Sequence, residues 1–185
     1  MRITLIGGGK LAKHLYKSLI LSNQIQLLEW VVRSKRQDKT AEGIKLVNKI
    51  NQHEISDLYL LAVSDKSIKD VARLIPNNLF VVHTAGGVSL KQINQYRAGV
   101  FYPIQTFSQE SNINFSKIPI GIESKQTQDL IHLKKLAKLI GSESFLINSS
   151  QREHLHLAAV LVNNFTNHLF VEADIICKQN NLSFD

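Results

Sequence analysis

One stretch near the start limits what this chain can fold into more than any other. An apolar run, Ile3-Thr4-Leu5-Ile6, breaks into Gly7-Gly8-Gly9-Lys10-Leu11-Ala12, and a helix-like pattern follows. A second apolar run, Leu27 to Val32, ends in Arg33-Ser34. In order, this is a strand, a glycine turn, a helix and a second strand with a charged tip. The spacing Gly7-x-Gly9-x-x-Ala12 fits G-x-G-x-x-G/A, the turn that seats the pyrophosphate of a dinucleotide. Gly7 allows the tight exit from the strand, and Gly9 leaves the backbone open to a phosphate. Ala12 lets the helix close on the strand. Lys10 and Leu11 open that helix, whose free N–H groups and partial positive charge face the same phosphates.

The tip of the second strand selects between cofactors. An acid there would hold a ribose 2′-hydroxyl. This chain has Arg33-Ser34-Lys35-Arg36, and no acid before Asp38. Arg33 is able to grip a 2′-phosphate through two N–H groups, and Ser34 adds a hydroxyl. The expected cofactor is NADP rather than NAD.

Further along, Asp57 to Val63 is a near-continuous apolar run, the pattern of a strand buried on both faces of a parallel sheet. Ser64-Asp65 reads as a helix cap, with Ile68, Val71, Ala72 and Ile75 at helical spacing behind it. Leu79 to His83 and Gly99 to Tyr102 read as strands, the second stopped by Pro103. Ser89 caps a short helix between them. Ile118 to Ile122 and Phe145 to Ile147 are further strands around a helix from Thr127 to Ile140. Thr40 to Asn51 reads as a short helix or loop. Strands alternating with helices predict an α/β fold, a doubly wound, mostly parallel sheet of the Rossmann type. In such sheets ligands lie beyond the carboxyl ends of the strands. Those ends add Ala62, Val63, Ser64, Thr84 and Gly86 to Gly7, Gly9, Lys10, Leu11, Arg33 and Ser34 as expected cofactor contacts.

From Ser149 the character changes. Gln151 to about Lys178 contains neither Gly nor Pro and predicts one long helix, the start of an all-helical domain. The division is a nucleotide-binding domain over 1–148 and a helical one over 149–185. The helix is apolar on most faces, so either a second subunit covers it, giving a homodimer, or the natural protein is longer.

Composition excludes several classes. A net charge of +7 raises nucleic acid as a partner. The cations are spread along the chain, however, without the aromatic interleaving of a base-stacking surface, and no nucleic-acid partner is expected. The stretch Leu155 to Cys177 carries His156, Asn163, Asn164, Asn167, His168, Glu172 and Asp174, too polar for a membrane span. Met1-Arg2 leads straight into a strand, with no signal-peptide pattern. The single Cys177 excludes an intramolecular disulfide and fits a reducing cytoplasm. His154 and His156 point apart on a helix, and no metal-ligand spacing emerges.

Taken together, the chain resembles the family of pyrroline-5-carboxylate reductase and its F420-dependent NADP oxidoreductase relatives. The matching elements are Ile6 to Ala12, Val32-Arg33-Ser34, Asp57 to Val63 and Thr84-Ala85-Gly86-Gly87-Val88-Ser89-Leu90. Tyr102-Pro103-Ile104-Gln105-Thr106-Phe107-Ser108, and His156 to Ala159 through Asn163 to His168, resemble a branch that pairs a Rossmann-like domain with a helical DUF2520 domain. The resemblance implies an NADP-binding domain and a helical domain that completes the active site and dimerises. Members of that branch continue well beyond Asp185. Related β-hydroxyacid dehydrogenases carry a catalytic Lys where this chain has Ala159 and Val160, which argues against Lys-assisted alcohol oxidation.

The candidate chemistry sits on the long helix. His156, Asn163 and Asn167 are seven and then four residues apart and are expected to share a face. An imidazole there serves as general acid towards a carbonyl or imine while NADPH gives the hydride. The two amides would position the substrate. Tyr102, at a strand end, is expected to face it too, with Gln105 nearby. The reading is an NADP-dependent oxidoreductase acting on a small metabolite. The alternative is an NADP-binding redox sensor or subunit without catalysis.

Overall fold

The computed structural model describes residues 1–34, 37–50, 55–108 and 113–184. Lys35 and Arg36 of the basic tip lie outside the described residues, as do Asn51 and Asp185. The chain runs β1 (Arg2–Ile6), α1 (Lys10–Ile20), β2 (Gln26–Val31), β3 (Lys45–Val47), β4 (Leu58–Leu61), α2 (Asp65–Arg73) and β5 (Val81–His83). It continues through β6 (Ala98–Pro103), β7 (Ile120–Ser124), α3 (Leu130–Leu139) and β8 (Ser144–Leu146). The sheet order is β3-β2-β1-β4-β5-β6-β7-β8. Every pairing is parallel except β6 with β7.

The side-chain period of two explains how one sheet holds two cores. Leu58 and Leu60 of β4 pack with Leu15 and Leu19 of α1 and with Leu133 and Leu136 of α3. Tyr59 and Leu61 turn the other way, onto Ile68 and Ala72 of α2. Each fully buried Leu or Ile contributes about 1.5–3 kcal/mol, so helices on both faces are what make this run a strand. From β1 the chain winds outward to β3, then returns to the far side of β1 to form β4. The reversal opens a crevice between the carboxyl ends of β1 and β4.

Three expectations need correction. The segment from Thr40 onward is not a helix: it makes a turn at Gly43, with φ +83°, and then the edge strand β3. Three residues are too few to show a period, and β3 owes its form to pairing with Glu29–Val31. The helix expected over Thr127 to Ile140 begins with a 3-10 turn, Thr127–Asp129, before α3. The long helix starts at Ser149, where the Asn148 carboxamide accepts from the Gln151 N–H and the Gln151 side chain accepts from the Asn148 N–H. It then runs as α4 (Ser149–Val160), a π turn (Leu161–Phe165) and α5 (Thr166–Gln179). No residue of the π turn or of α5 is buried. Among the described residues, no helix is long and apolar enough to cross a membrane.

Candidate functional site

The glycine turn is dictated by the closeness of β1 and β4. Gly7 has φ +131°, and a Cβ there would lie 2.0 Å from the Ala62 carbonyl oxygen, so no other residue fits. Its carbonyl accepts from the Trp30 indole N–H at 2.6 Å, and that ring stacks on Tyr16 with centroids 4.5 Å apart. Gly9 is different. A Cβ on it would meet nothing within 4 Å, because the residue faces open space at the start of α1. Ala12 is fully buried beneath the turn.

That open space is a cleft of about 1550 Å³. Gly7, Gly9, Lys10 and Leu11 form its floor; Arg33 and Ser34 line it at the tip of β2. Ala62, Val63, Ser64 and Thr84 line it beyond β4 and β5. A glycine turn at a helix N-terminus, with a guanidinium at the second strand's tip, suits an elongated anion such as a dinucleotide. Two side chains are engaged otherwise than expected. Thr84 donates its hydroxyl to the Leu61 carbonyl at 3.1 Å, bracing the strand end. Ser64 holds the cap position of α2 but makes no side-chain cap bond; its hydroxyl pairs with that of Ser67 at 2.8 Å.

Gly86 serves a neighbouring cluster rather than the cleft wall. A Cβ on it would lie 2.7 Å from Cγ and Nδ1 of His156 and 2.9 Å from the Tyr102 ring. The absence of a side chain is what lets the α4 imidazole reach the sheet. His156 Nδ1 and the Tyr102 hydroxyl are hydrogen-bonded at 3.2 Å, the rings edge to face. Beside them, a Cβ on Gly87 would sit 3.7 Å from both His156 Cδ2 and Asp65 Oδ2. Burial pushes the Tyr102 phenol above its usual range, and the positive charge of Arg152 opposes that push. The phenol therefore keeps its proton at neutral pH.

The structure brings His156 and Tyr102 together and treats the two amides differently. Asn163 donates to the Thr106 hydroxyl at 2.8 Å, facing the loop after β6. Asn167 is exposed. The expected shared face assumes a continuous α-helix. The π turn takes in about one extra residue, so positions after it are rotated relative to His156. Gln105 is exposed as well, and His168 is on the outer surface, 3.8 Å from Glu172.

Sequence reasoning missed what anchors this cluster. Arg152, with no exposed surface, pairs with Glu123 of β7 and donates to the Val88 carbonyl. His83 is fully buried at the end of β5, its Nδ1 accepting from the Ala85 N–H at 3.2 Å. Burial, then the nearby Arg152 charge, pushes its pKa down to about 3. Arg152 is 29 residues from Glu123 and 64 from Val88, so no local pattern announces the group.

Comparisons with known proteins agree with this architecture. Residues 118–185 match the family described as a domain of unknown function, DUF2520. No curated protein matches the chain. A "putative NADP oxidoreductase" from Bacteroides fragilis is 30% identical, with a TM-score of 0.80 over 100% of this chain and 74% of its own. The pyrroline carboxylate reductase of Plasmodium falciparum, solved with NADP bound, is 13% identical, with a TM-score of 0.67 over 98% of this chain and 70% of its own. The prephenate dehydrogenase of A. aeolicus, solved with hydroxyphenyl propionate and NAD+, is 15% identical, with a TM-score of 0.65 over 82% of this chain and 62% of its own. The last two share the fold. At 30% identity over 100% of this chain and 74% of the Bacteroides protein, the chain belongs to that protein's family.

Proposed function

We propose that this protein is an NADP-dependent oxidoreductase, moving a hydride between NADP(H) and a small carbonyl or imine compound. The observation that carries the reading is the adjacency of two features at the strand ends. A phosphate-seating cleft has Arg33 at its tip, and a Tyr102–His156 pair stands against Gly86 beside it. The names of the relatives support oxidoreductase chemistry. Because one of them was solved with NAD+, the choice of NADP rests on Arg33 and Ser34 of this chain.

When bound, the nicotinamide supplies the hydride. The chain's own residues do the rest. The glycine turn and the α1 N-terminus hold the phosphates, while Arg33 and Ser34 hold the 2′-phosphate. The protonated His156 ring keeps one N–H against the Tyr102 oxygen through Nδ1 and carries the other on Nε2. Nε2 gives its proton to the substrate oxygen or nitrogen as the neighbouring carbon is reduced, leaving a neutral ring still held at Nδ1. In the reverse direction Nε2 takes the proton back.

Trp30 is the chain's single tryptophan and lines the cleft, so its fluorescence reports binding directly. NADPH is expected to bind more tightly than NADH, and Arg33→Ala to weaken NADPH far more than NADH. Equal affinities in the unmutated protein would overturn the cofactor assignment. With a substrate found by metabolite-dependent NADPH oxidation, His156→Ala is expected to cut turnover about a hundredfold or more with NADPH affinity kept. Cofactor binding with no turnover across a broad carbonyl and imine panel would favour a sensor instead.

A further inference from the structure

Arg152 spreads one guanidinium over two parts of the molecule. Nη1 donates to Glu123 on β7. Nη2 donates to the Val88 carbonyl, just past Gly86-Gly87, and reaches the Ser149 hydroxyl at 3.3 Å. Ser149 in turn donates to Glu123 at 2.9 Å and accepts from the Leu90 N–H at 3.0 Å. The first turn of α4 is thereby tied to β7 and to the loop that carries Gly86. His156 follows Arg152 by four residues, so the two side chains lie on one helix face. The same guanidinium thus touches β7, the first turn of α4 and the loop that follows Gly86.

We propose that Arg152 is a positioning residue for the Tyr102–His156 pair, holding the imidazole in register with the Gly86 loop; this rests on the reading above that the pair moves the proton. A buried ion pair is a weak source of stability compared with apolar packing, which argues for a role in orientation. The planar fork of arginine satisfies Glu123, Val88 and Ser149 at once, and a lysine ammonium at the same place would not keep that geometry. The cation is also felt at the pair itself, where it opposes the rise in the Tyr102 pKa. A simple staple between helix and sheet predicts only lost stability when broken.

The test uses the full chain with ¹⁵N-labelled histidine rings, the His156 signals identified by their loss in His156→Gln. Ring ¹⁵N shifts report the tautomer, and Tyr102→Phe defines the pattern of an unheld ring. Arg152→Lys and Glu123→Gln are expected to move His156 towards that pattern, with NADPH affinity by Trp30 quenching kept within about twofold. Native-like His156 shifts in the folded variants would overturn the proposal. So would a ring shift accompanied by loss of NADPH binding, which would mean general loosening. If Arg152→Lys does not fold, Glu123→Gln, which keeps the shape of the side chain, decides alone. The ring shifts need neither cofactor nor substrate. A native protein that fails to bind NADPH therefore removes the oxidoreductase reading alone; general loosening of the variants is then read from their thermal unfolding, and a ring shift with a native-like melt still supports the positioning role.

Discussion

Gly7 and Gly9 lie two residues apart, and adding one carbon to each has opposite consequences. At Gly7 the new atom collides with the Ala62 backbone in a conformation that side chains avoid. Gly7→Ala is expected to cost roughly 3 kcal/mol or more of folding stability. At Gly9 the new atoms enter open cleft, so Gly9→Val is expected to melt like the native protein while losing NADPH. Thermal unfolding and Trp30 quenching on both variants read the two effects apart; a Gly9→Val protein that still binds would place the cofactor elsewhere. His83 supplies a pH dependence. Its folded pKa of about 3 lies below its ordinary 6.5. Between those values the unfolded chain binds a proton that the folded chain refuses, so stability is full above 6.5 and falls as pH drops towards 3. The slope is about 1.4 kcal/mol per pH unit, or about 2 kcal/mol lost by pH 5. His83→Gln keeps an acceptor for the Ala85 N–H and does not titrate. Its melting temperature is expected to drop less than the native one between pH 7 and pH 5, and equal drops would refute the assignment. Gly7 and Gly9 were legible in the sequence because their constraint is local. His83, Glu123 and Arg152 were not, because their meaning comes from partners far along the chain.

At the scale of elements, legibility followed length and burial. The run Leu58-Tyr59-Leu60-Leu61 announces a central strand because both of its faces are covered by helices. β3 announces nothing: its three residues take their form from the β2 edge. The capping-box spacing Asn148-x-x-Gln151, which starts α4 at Ser149, was readable but went unused. The π turn leaves no mark in the sequence, and it undoes the simple helical spacing of His156, Asn163 and Asn167. It also separates the roles of the two amides. Asn163 bonds Thr106 of the loop after β6, while Asn167 is exposed. Asn163→Ala is expected to cost about 1 kcal/mol in denaturant unfolding, and Asn167→Ala less than about 0.5 kcal/mol. Equal costs would mean that the turn does not set their exposure.

For the molecule as a whole, the outer surface of the last helix sets the next question. Leu161, Val162, Phe165, Leu169, Phe170 and Ile176 are each more than half exposed. This many exposed large apolar side chains on one helix mark an interface in proteins that stay in solution. No residue of the π turn or of α5 is buried. The occupant we expect is the same helix of a second copy, because a two-fold pairing covers both apolar surfaces at once. A stable contact needs about 600–1,000 Å² from each partner, within reach of a helix this rich in Leu, Phe and Ile. Sedimentation at micromolar concentration is expected to show a dimer. Phe165→Asp with Leu169→Asp should give a monomer that still binds NADPH, since the residues lining the cleft all lie between Ile6 and Thr84. A native protein that stays monomeric at that concentration refutes the pairing, and a dimer that survives both substitutions moves the interface off this helix.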